Sequence, residues 1–339
     1  MRFGLFIPQG WRMDLVDIEP DQHWGVMAGL AERAEMTRLW ESVWVYDHFH
    51  TVPRPSQEAT HEAWTLMAAL AAVTSRIRLG QMCTCMGYRN PAYLAKVAST
   101  VDMISEGRLE MGIGAGWYEH EWRAYGFNGG DFPTAGERLG MLEEGVQILR
   151  DMWTTGSATF DGKHYQVDGA ICAPRPLQGT SQPGSVHNGI PMWIAGGGEK
   201  KTLRIAAKYA DYTNFSAEDF EHKSAVLAGH CADIGRDFDE ITRSANFNVV
   251  IGDTDKDVKE RLAWIRQHYV NAGVPEERVD KQLAAQMSGP GVGTAEQVAE
   301  RLNALKVLGL GYTIANFVES AYDTSGMHLF ENRVIPEVR

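Results

Sequence analysis

Apolar positions along the chain follow two patterns that alternate. Short apolar runs without a helical period are typical of buried strands, and longer stretches with apolar residues at helical spacing predict amphipathic helices. The predicted strands are residues 2–8, 42–46, 78–83, 109–114, 191–195, 212–215, 245–252 and 312–317. The predicted helices are residues 22–36, 63–74, a helix opened by Asn90-Pro91, 138–153, 201–210, 220–234, 258–272, a helix beginning at Thr294, and a last helix from about Tyr322 onward. The chain therefore reads as repeated strand-helix units.

One region departs from this alternation. Asp161-Gly162 stands between two β-prone runs at residues 159–167, which indicates a hairpin. The Pro-, Gly- and Ser-rich residues 174–188 show no period and predict a long surface loop, which we expect to fold over the mouth of the core. We interpret residues 154–190 as an insertion after strand four.

Eight strands alternating with helices in one chain of 339 residues favour a closed (β/α)8 barrel of the TIM type over a doubly wound open sheet. No flexible linker or short internal repeat divides the chain, so we predict a single domain over residues 1–339. In such a barrel the loops that follow the strands form the functional face.

The charge and residue composition exclude some classes of binding partner. Thirty-two basic against 44 acidic residues give a formal charge of −12, which disfavours nucleic acid or an anionic membrane as the main partner. No apolar run is long enough to span a membrane, and Met1 leads directly into a strand, so we expect no signal peptide and a cytoplasmic protein. The cysteines fit neither a disulfide framework nor a metal site: Cys83, Cys85, Cys172 and Cys231.

The second predicted strand ends in Asp47-His48. An imidazole changes charge near neutral pH, and a neighbouring carboxylate can orient it, so His48 is a candidate proton donor or a polar group beside a redox ring. The alternative is a histidine satisfied by backbone groups at a strand end.

Gly196, Gly197 and Gly198 follow the fifth strand and precede a helix, an arrangement in which backbone N–H groups and the helix dipole receive a phosphate. Lys200 and Lys201 add local positive charge. A tight turn is the competing explanation, and the spacing differs from that of a Walker P-loop.

The fourth strand ends in Gly112-Ile113-Gly114-Ala115-Gly116-Trp117. A dinucleotide fingerprint is excluded because Trp117-Tyr118 replaces the third glycine and the tightly packed helix. Small residues here would let a flat ring approach the backbone, with Trp117 or Tyr118 as a wall; a crowded strand end filled by glycine is the alternative. The aromatic neighbours of Glu119, His120 and Glu121 favour a half-buried position over a solvated turn.

These stretches together resemble the bacterial-luciferase-like superfamily of flavin- and deazaflavin-dependent oxidoreductases, over nearly the whole chain. The resemblance rests on six motifs in family order: D-H-F at 47–49, L-G-Q-M-C from Leu79, Y-R-N-P at 88–91, G-I-G-A-G-W at 112–117, I-A-G-G-G at 194–198 and G-T-A-E-Q-V at 293–298. The D-H-F stretch and the overall arrangement are most similar to the branch that uses coenzyme F420, such as the F420-dependent glucose-6-phosphate dehydrogenases.

The resemblance implies a barrel with a tricyclic ring at its mouth and a phosphate tail toward Gly196–Gly198. It implies that His48 is the active-site histidine and that Asp47 contacts the cofactor. Met82-Cys83 corresponds to a non-proline cis peptide that forms a bulge behind the ring. Ala115, Gly116 and His120 match further cofactor contacts. The resemblance also implies a homodimer or a higher homo-oligomer.

One difference from the family pattern argues against sugar-phosphate oxidation as the function. Trp117 stands where the glucose-6-phosphate dehydrogenases carry a catalytic acid, and Glu119 and Glu121 are displaced along the chain. The expected function is therefore hydride transfer between F420 and another organic substrate, apolar or aromatic, with His48 and Trp117 at the reacting centre. Two alternatives stay open: an FMN-dependent monooxygenase that uses dioxygen, and a cofactor-binding protein without catalysis.

Overall fold

A computed structural model describes residues 1–178 and 189–338 of the chain. Its strands, numbered β1 to β13 in chain order, are Arg2–Phe6, Ser42–Val45, Arg78–Gln81, Thr84–Cys85, Leu109–Gly114, Ser157–Asp161, Gln166–Ile171, Met192–Ala195, Tyr212–Asn214, Thr242–Asn248, Val250–Gly252, Val292–Thr294 and Leu310–Asn316. Residues 179–188 of the predicted surface loop lie outside the described part.

The helices, numbered α1 to α12, are His23–Thr37, Ala63–Val73, Pro91–Ile104, Glu119–Ala124, Ala135–Thr155, Thr202–Tyr209, Phe220–Asp233, Asp255–Asn271, Glu276–Gln286, Ala295–Val307, Ser325–Leu329 and Ile335–Val338. Two helix starts confirm the capping signals in the sequence. The Asn90 side chain accepts hydrogen bonds from the backbone of Ala92 and Tyr93, with Pro91 at the first turn, and Thr294 forms a capping box with Gln297.

The chain has the (β/α)8 barrel fold that the alternation of strands and helices predicts. It is divided into two compact units: residues 1–61, 215–221 and 243–339 form the first, and residues 62–214 and 222–242 form the second. In the first unit the parallel order is β2, β1, β13, β10, with Gly4 beside Ser42 and Leu5 beside Ala315. In the second unit β5 lies between β3 and β8, and β9 follows β8.

The first unit contains a second apolar cluster beside its sheet. Val250 of β11 and Val292 of β12 pack against Ile265 and Tyr269 of α8 and against Val279 of α9. Burial of these aliphatic and aromatic side chains stabilises β11, β12, α8 and α9 as one layer.

Polar side chains fix the base of the second unit. The Glu110 carboxylate accepts hydrogen bonds from Arg78 Nε and from Trp193 Nε1, the latter at 2.6 Å. The Trp193 ring stacks on Tyr212 with centroids 4.1 Å apart. Buried charges are tolerated where they are paired and hydrogen-bonded, as they are here.

Three secondary-structure predictions were wrong. The predicted strand 245–252 is two strands, because β10 pairs with β13 and β11 leaves to pair with β12. Helices α4 and α9 fall in segments for which no helix was predicted. The last helix is shorter and interrupted, since a π-helical segment, Phe330–Val334, separates α11 from α12.

An antiparallel hairpin joins β6 to β7, with Asp161 beside Gln166, at the position that Asp161-Gly162 indicates. Its first strand follows directly on α5.

Candidate functional site

His48 lies just past the carboxyl end of β2, in the first unit. Its imidazole is half-buried and stacks on the indole of Trp11, with ring centroids 4.2 Å apart and planes 7° from parallel. Asp47 beside it is 1% exposed. A parallel stack with a rigid indole limits how far the imidazole can rotate, so the ring is held in one orientation at the strand end.

Gln9 holds the loop after β1 against the end of β2. Its amide nitrogen donates to the carbonyl of Tyr46 at 2.7 Å and its amide oxygen accepts from the N–H of Tyr46, also at 2.7 Å. The same nitrogen donates to the carbonyl of His61 at 2.6 Å. Because Gln9 is fully buried, these bonds fix the loop that carries Trp11 beside the strand end that carries His48.

The residues that surround this strand end were not predicted from the sequence. The Trp11 and Tyr46 rings lie 4.2 Å apart, and the guanidinium of Arg12 lies over both, 5.0 Å and 5.3 Å from their centroids. The only signal available was that Trp11 and Arg12 closely follow the first strand, at the rim where functional side chains gather.

Electrostatics in this group follow from burial. Burial raises the pKa of Tyr46 to about 12, so its hydroxyl stays protonated at neutral pH. Burial also raises the pKa of Asp14 to about 6, although the N–H of Gly10 donates to its carboxylate at 2.7 Å. The Asp14 carboxyl is thus only partly ionised in mildly acidic solution.

Met82 and Cys83 lie at a β-bulge between β3 and β4 in the second unit. Gly80 faces Glu110 and Thr84 faces Ile113, so four residue steps on one strand match three on β5. The peptide bond between Met82 and Cys83 is cis, as the family resemblance implies.

Two glycines of β5 permit this bulge. A Cβ on Gly112 would lie 1.8 Å from the carbonyl oxygen of Gln81, and one on Gly114 would lie 2.7 Å from Cys83 Sγ. Gly112 thus admits the backbone of Gln81, and Gly114 admits the side chain of Cys83.

Gly116 lies in the loop after β5 and has a positive φ of 75°. A Cβ there would lie 2.3 Å from Cys85 Sγ, and its carbonyl accepts a hydrogen bond from Arg138 Nε at 3.0 Å. Ala115 beside it is half-buried. The site candidates Met82 and Cys83 therefore lie between β3 and β4, and Ala115 and Gly116 lie directly after the neighbouring strand β5.

Trp117 is 59% exposed and stacks on Tyr118, with centroids 5.0 Å apart. His120 is exposed on the first turn of α4 and lies 5.8 Å from the Tyr118 ring. The half-buried position expected for His120 was therefore wrong, because α4 turns this side chain outward.

Neither displaced acid is placed like a free catalytic carboxylate. Glu121 is fully buried and accepts a hydrogen bond from the hydroxyl of Tyr88 at 2.8 Å. Glu119 is exposed and forms an ion pair with Arg123 at 2.8 Å. Both carboxylates hold α4 or its surroundings.

Gly196, Gly197 and Gly198 form the turn between β8 and α6. Gly196 has a φ of 118° and donates its N–H to the carbonyl of Asn214 at 2.8 Å. Within the described residues, the N–H groups of Gly197 and Gly198 have no acceptor. Both groups precede α6, which begins at Thr202.

Glu199 anchors this turn to α7. Its carboxylate accepts from His222 Nε2 at 3.0 Å and from Lys223 Nζ at 2.6 Å, and its carbonyl contacts His230 Nε2 at 2.7 Å. The turn therefore has a fixed shape, which an anion site requires.

The predicted site residues fall into both compact units: Asp47 and His48 in the first, and Met82, Cys83, Ala115, Gly116, Trp117, His120 and Gly196–Gly198 in the second.

In the part of the chain that is described, no three His, Cys, Asp or Glu side chains are arranged to hold a metal ion. None of the helices within these same residues has the length and apolar character needed to cross a membrane.

Comparison with known proteins defines the class. The model of the luciferase-like monooxygenase family matches residues 1–311, so the chain belongs to that family. Its fold, the bulge with its cis peptide and the histidine at the end of β2 agree with that membership.

Individual relatives differ in activity. The chain is 33% identical over 225 residues to the pyrimidine monooxygenase RutA of Stutzerimonas stutzeri, covering 64% of this chain and 56% of that protein. It is 34% identical over 183 residues to an F420-dependent glucose-6-phosphate dehydrogenase of Amycolatopsis mediterranei, covering 53% and 48%. The matches thus span about half the length of these two relatives.

Among solved structures, the monooxygenase RslO1 of Streptomyces bottropensis superimposes with a TM-score of 0.77 at 19% identity, covering 100% of both chains. This likeness establishes the shared fold.

Proposed function

We propose that this protein is an F420-dependent oxidoreductase that transfers a hydride between the deazaflavin and an organic substrate. The observation that carries the proposal is the half-buried His48 imidazole, held parallel to Trp11 at the carboxyl end of β2. A histidine so placed can donate or accept a proton at neutral pH. Similarity to an F420-dependent dehydrogenase supports the choice of cofactor.

Features of the second unit fit a flat, phosphate-bearing cofactor. The free N–H groups of Gly197 and Gly198 suit a phosphate, and Lys200 and Lys201 follow directly. The backbone at Gly112 and Gly114 admits the bulge of Met82 and Cys83, where the family resemblance puts one face of the ring.

In the proposed reaction the cofactor and the protein side chains have different roles. F420, when bound, carries the hydride. His48 would supply or receive the accompanying proton, and Trp117 would offer an apolar surface to the substrate. Asp47, Ala115, Gly116 and His120 are proposed as further cofactor contacts.

An FMN-dependent monooxygenase is the second candidate, because the chain is equally similar to the pyrimidine monooxygenase RutA. Titrating the purified protein with F420, FMN and riboflavin separates the two functions. Fluorescence measures the binding of each compound, and oxygen consumption measures monooxygenase activity. We expect F420 to bind and FMN to bind weakly. Tight FMN binding with substrate-dependent oxygen uptake, and no F420 binding, would support the monooxygenase instead. Riboflavin, which lacks the phosphate, measures how much the glycine turn contributes.

His48→Ala tests the proposed proton transfer. We expect turnover to fall by roughly 10²- to 10⁴-fold, the range for loss of a general acid or base, while cofactor affinity changes little. His328→Ala, at an exposed histidine on α11, is the matched control and should leave both quantities unchanged. Wild-type turnover in His48→Ala would rule out this role for the imidazole.

A further inference from the structure

The ends of β1, β2, β10 and β13 carry a group of polar atoms that the proposed proton transfer does not use. The strands are parallel neighbours in the order β2, β1, β13, β10, so their carboxyl ends meet. The group consists of Trp11 and Arg12 after β1, Tyr46 after β2, Asn248 ending β10 and Asn316 ending β13.

Three hydrogen-bonding atoms in this group have no partner among the described residues. They are Trp11 Nε1, Arg12 Nε and Tyr46 Oη, and each is buried. Trp11 is 7% exposed and Tyr46 is 5% exposed. Buried polar atoms are almost always satisfied in folded proteins, so three together indicate a ligand with acceptor atoms.

The Arg12 guanidinium also has no carboxylate in direct contact; the buried Asp14 acts on it only from beyond ion-pair distance. Within residues 1–178 and 189–338 no carboxylate oxygen lies within 4.0 Å of it. Its one side-chain hydrogen bond goes to the amide oxygen of Asn248 at 3.3 Å, and that oxygen is shared with Asn316 Nδ2 at 2.8 Å. A largely buried charge without a carboxylate in contact is costly, and an anion beside it would offset that cost.

The surroundings limit the shape of the anion. Rings form one side of the group: Phe6 stacks on Tyr46 at 4.2 Å, and Trp11 carries Arg12 above it and His48 against it. A guanidinium with an indole N–H and a phenol hydroxyl suits a planar pair of oxygens.

We propose that Trp11, Arg12 and Tyr46 bind the carboxylate of an organic acid, and that this carboxylate belongs to the substrate class of the enzyme. The substrate assignment rests on the proposed function, because stacking on Trp11 puts His48 next to this group. The anion site itself depends only on contacts within the first compact unit.

Benzoate is the probe, and benzamide is its neutral counterpart of the same shape. Binding is measured by isothermal titration calorimetry on the full chain, with whichever cofactor it retains and without it. We expect benzoate to bind at least about tenfold more tightly than benzamide, as a charge-assisted hydrogen bond predicts.

Arg12→Gln should weaken benzoate binding by roughly tenfold to a hundredfold and leave benzamide binding nearly unchanged. Arg278→Gln, at an exposed arginine on α9, is the matched control and should bind benzoate like the wild type. Tyr46→Phe removes one donor and keeps the ring, and Trp11→Phe removes the indole N–H and leaves a smaller aromatic ring, so each should cost several-fold and remain informative if Arg12→Gln does not fold.

The outcomes separate the two proposals. Equal affinities for benzoate and benzamide, or an Arg12→Gln variant that binds benzoate normally, would overturn the anion site even if F420 binds. Arg12-dependent benzoate binding by a chain that binds neither F420 nor FMN would support the anion site and reject the proposed function.

Discussion

At the scale of single residues, burial controls the charged groups of this protein. Glu319, in the loop after β13, is 3% exposed. Its Oε1 lies 3.5 Å from Arg261 Nη1, and its Oε2 has no partner among the described residues. It lines a cavity of about 480 Å³ together with Trp264 and Ser325. Burial raises its pKa from 4.5 to about 7, because a single contact with Arg261 does not replace the lost hydration.

This shift predicts a pH-dependent stability. Between pH 4.5 and about 7 the folded chain holds a proton on Glu319 that the unfolded chain has released, so the free energy of unfolding falls as pH rises through this window. Glu319→Gln removes the ionisation and keeps the shape. At pH 8 we expect it to stabilise the fold by about 2 to 3 kcal/mol relative to the wild type, with little difference at pH 4.5.

Urea unfolding at several pH values measures this effect. Glu300→Gln, at an exposed position on α10, should show no such pH-dependent gain. If Glu319→Gln is no more stable than the wild type at pH 8, other groups in the folded state stabilise the ionised carboxylate of Glu319.

At the scale of elements, the bulge between β3 and β4 depends on a glycine in the neighbouring strand. The carbonyl of Gln81 occupies the space of a Gly112 side chain, so Gly112→Ala would force the backbone of β3 and β5 apart. We expect this substitution to destabilise the protein by at least about 3 kcal/mol, at the upper end of overpacking costs, and to weaken cofactor binding.

Thermal and urea unfolding of Gly112→Ala test this dependence. Gly229→Ala is the control, because Gly229 lies on an exposed face of α7 with open space around it, and alanine there should stabilise by about 0.5 to 1 kcal/mol. If both variants were equally stable, the contact between β5 and the bulge would not be a constraint on the fold.

The helices and strands also show which features of the fold the sequence patterns could predict and which they could not. Helix starts could be read because their signals are local: Asn90-Pro91 and Thr294 with Gln297 act within one turn. The division of residues 245–252 into β10 and β11 could not be read, since an apolar run does not say which strand it will pair with. Helix α9 was missed because most of its residues are polar and its stability comes from Val279 and Leu283 in the second apolar cluster.

At the scale of the whole molecule, the excess of acidic residues shapes stability. A formal charge of −12 produces repulsion among surface carboxylates, which opposes the compact state. Raising NaCl from about 10 mM to about 100 mM shortens the Debye length from about 30 Å to about 10 Å. We therefore expect the melting temperature at pH 7.5 to rise over this range.

Differential scanning calorimetry at both salt concentrations measures the rise. The same comparison near the isoelectric point is the control, because the repulsion vanishes when the net charge approaches zero. A melting temperature at pH 7.5 that falls on adding salt would mean that attractive ion pairs such as that of Arg33 with Glu331 outweigh the repulsion.

By itself, the sequence determined the barrel, most of its strands and helices, and the strand-end positions of His48, Gly116 and Gly196–Gly198, because hydrophobic period and turn chemistry are local properties. Only the tertiary structure brought Trp11 and Arg12 beside Tyr46 and His48, buried Glu121 under Tyr88, and turned His120 outward. These depend on which strands become neighbours and on how loops are held, as Gln9 holds the loop after β1. Contacts between residues far apart in the sequence produce no periodic pattern from which they could be predicted.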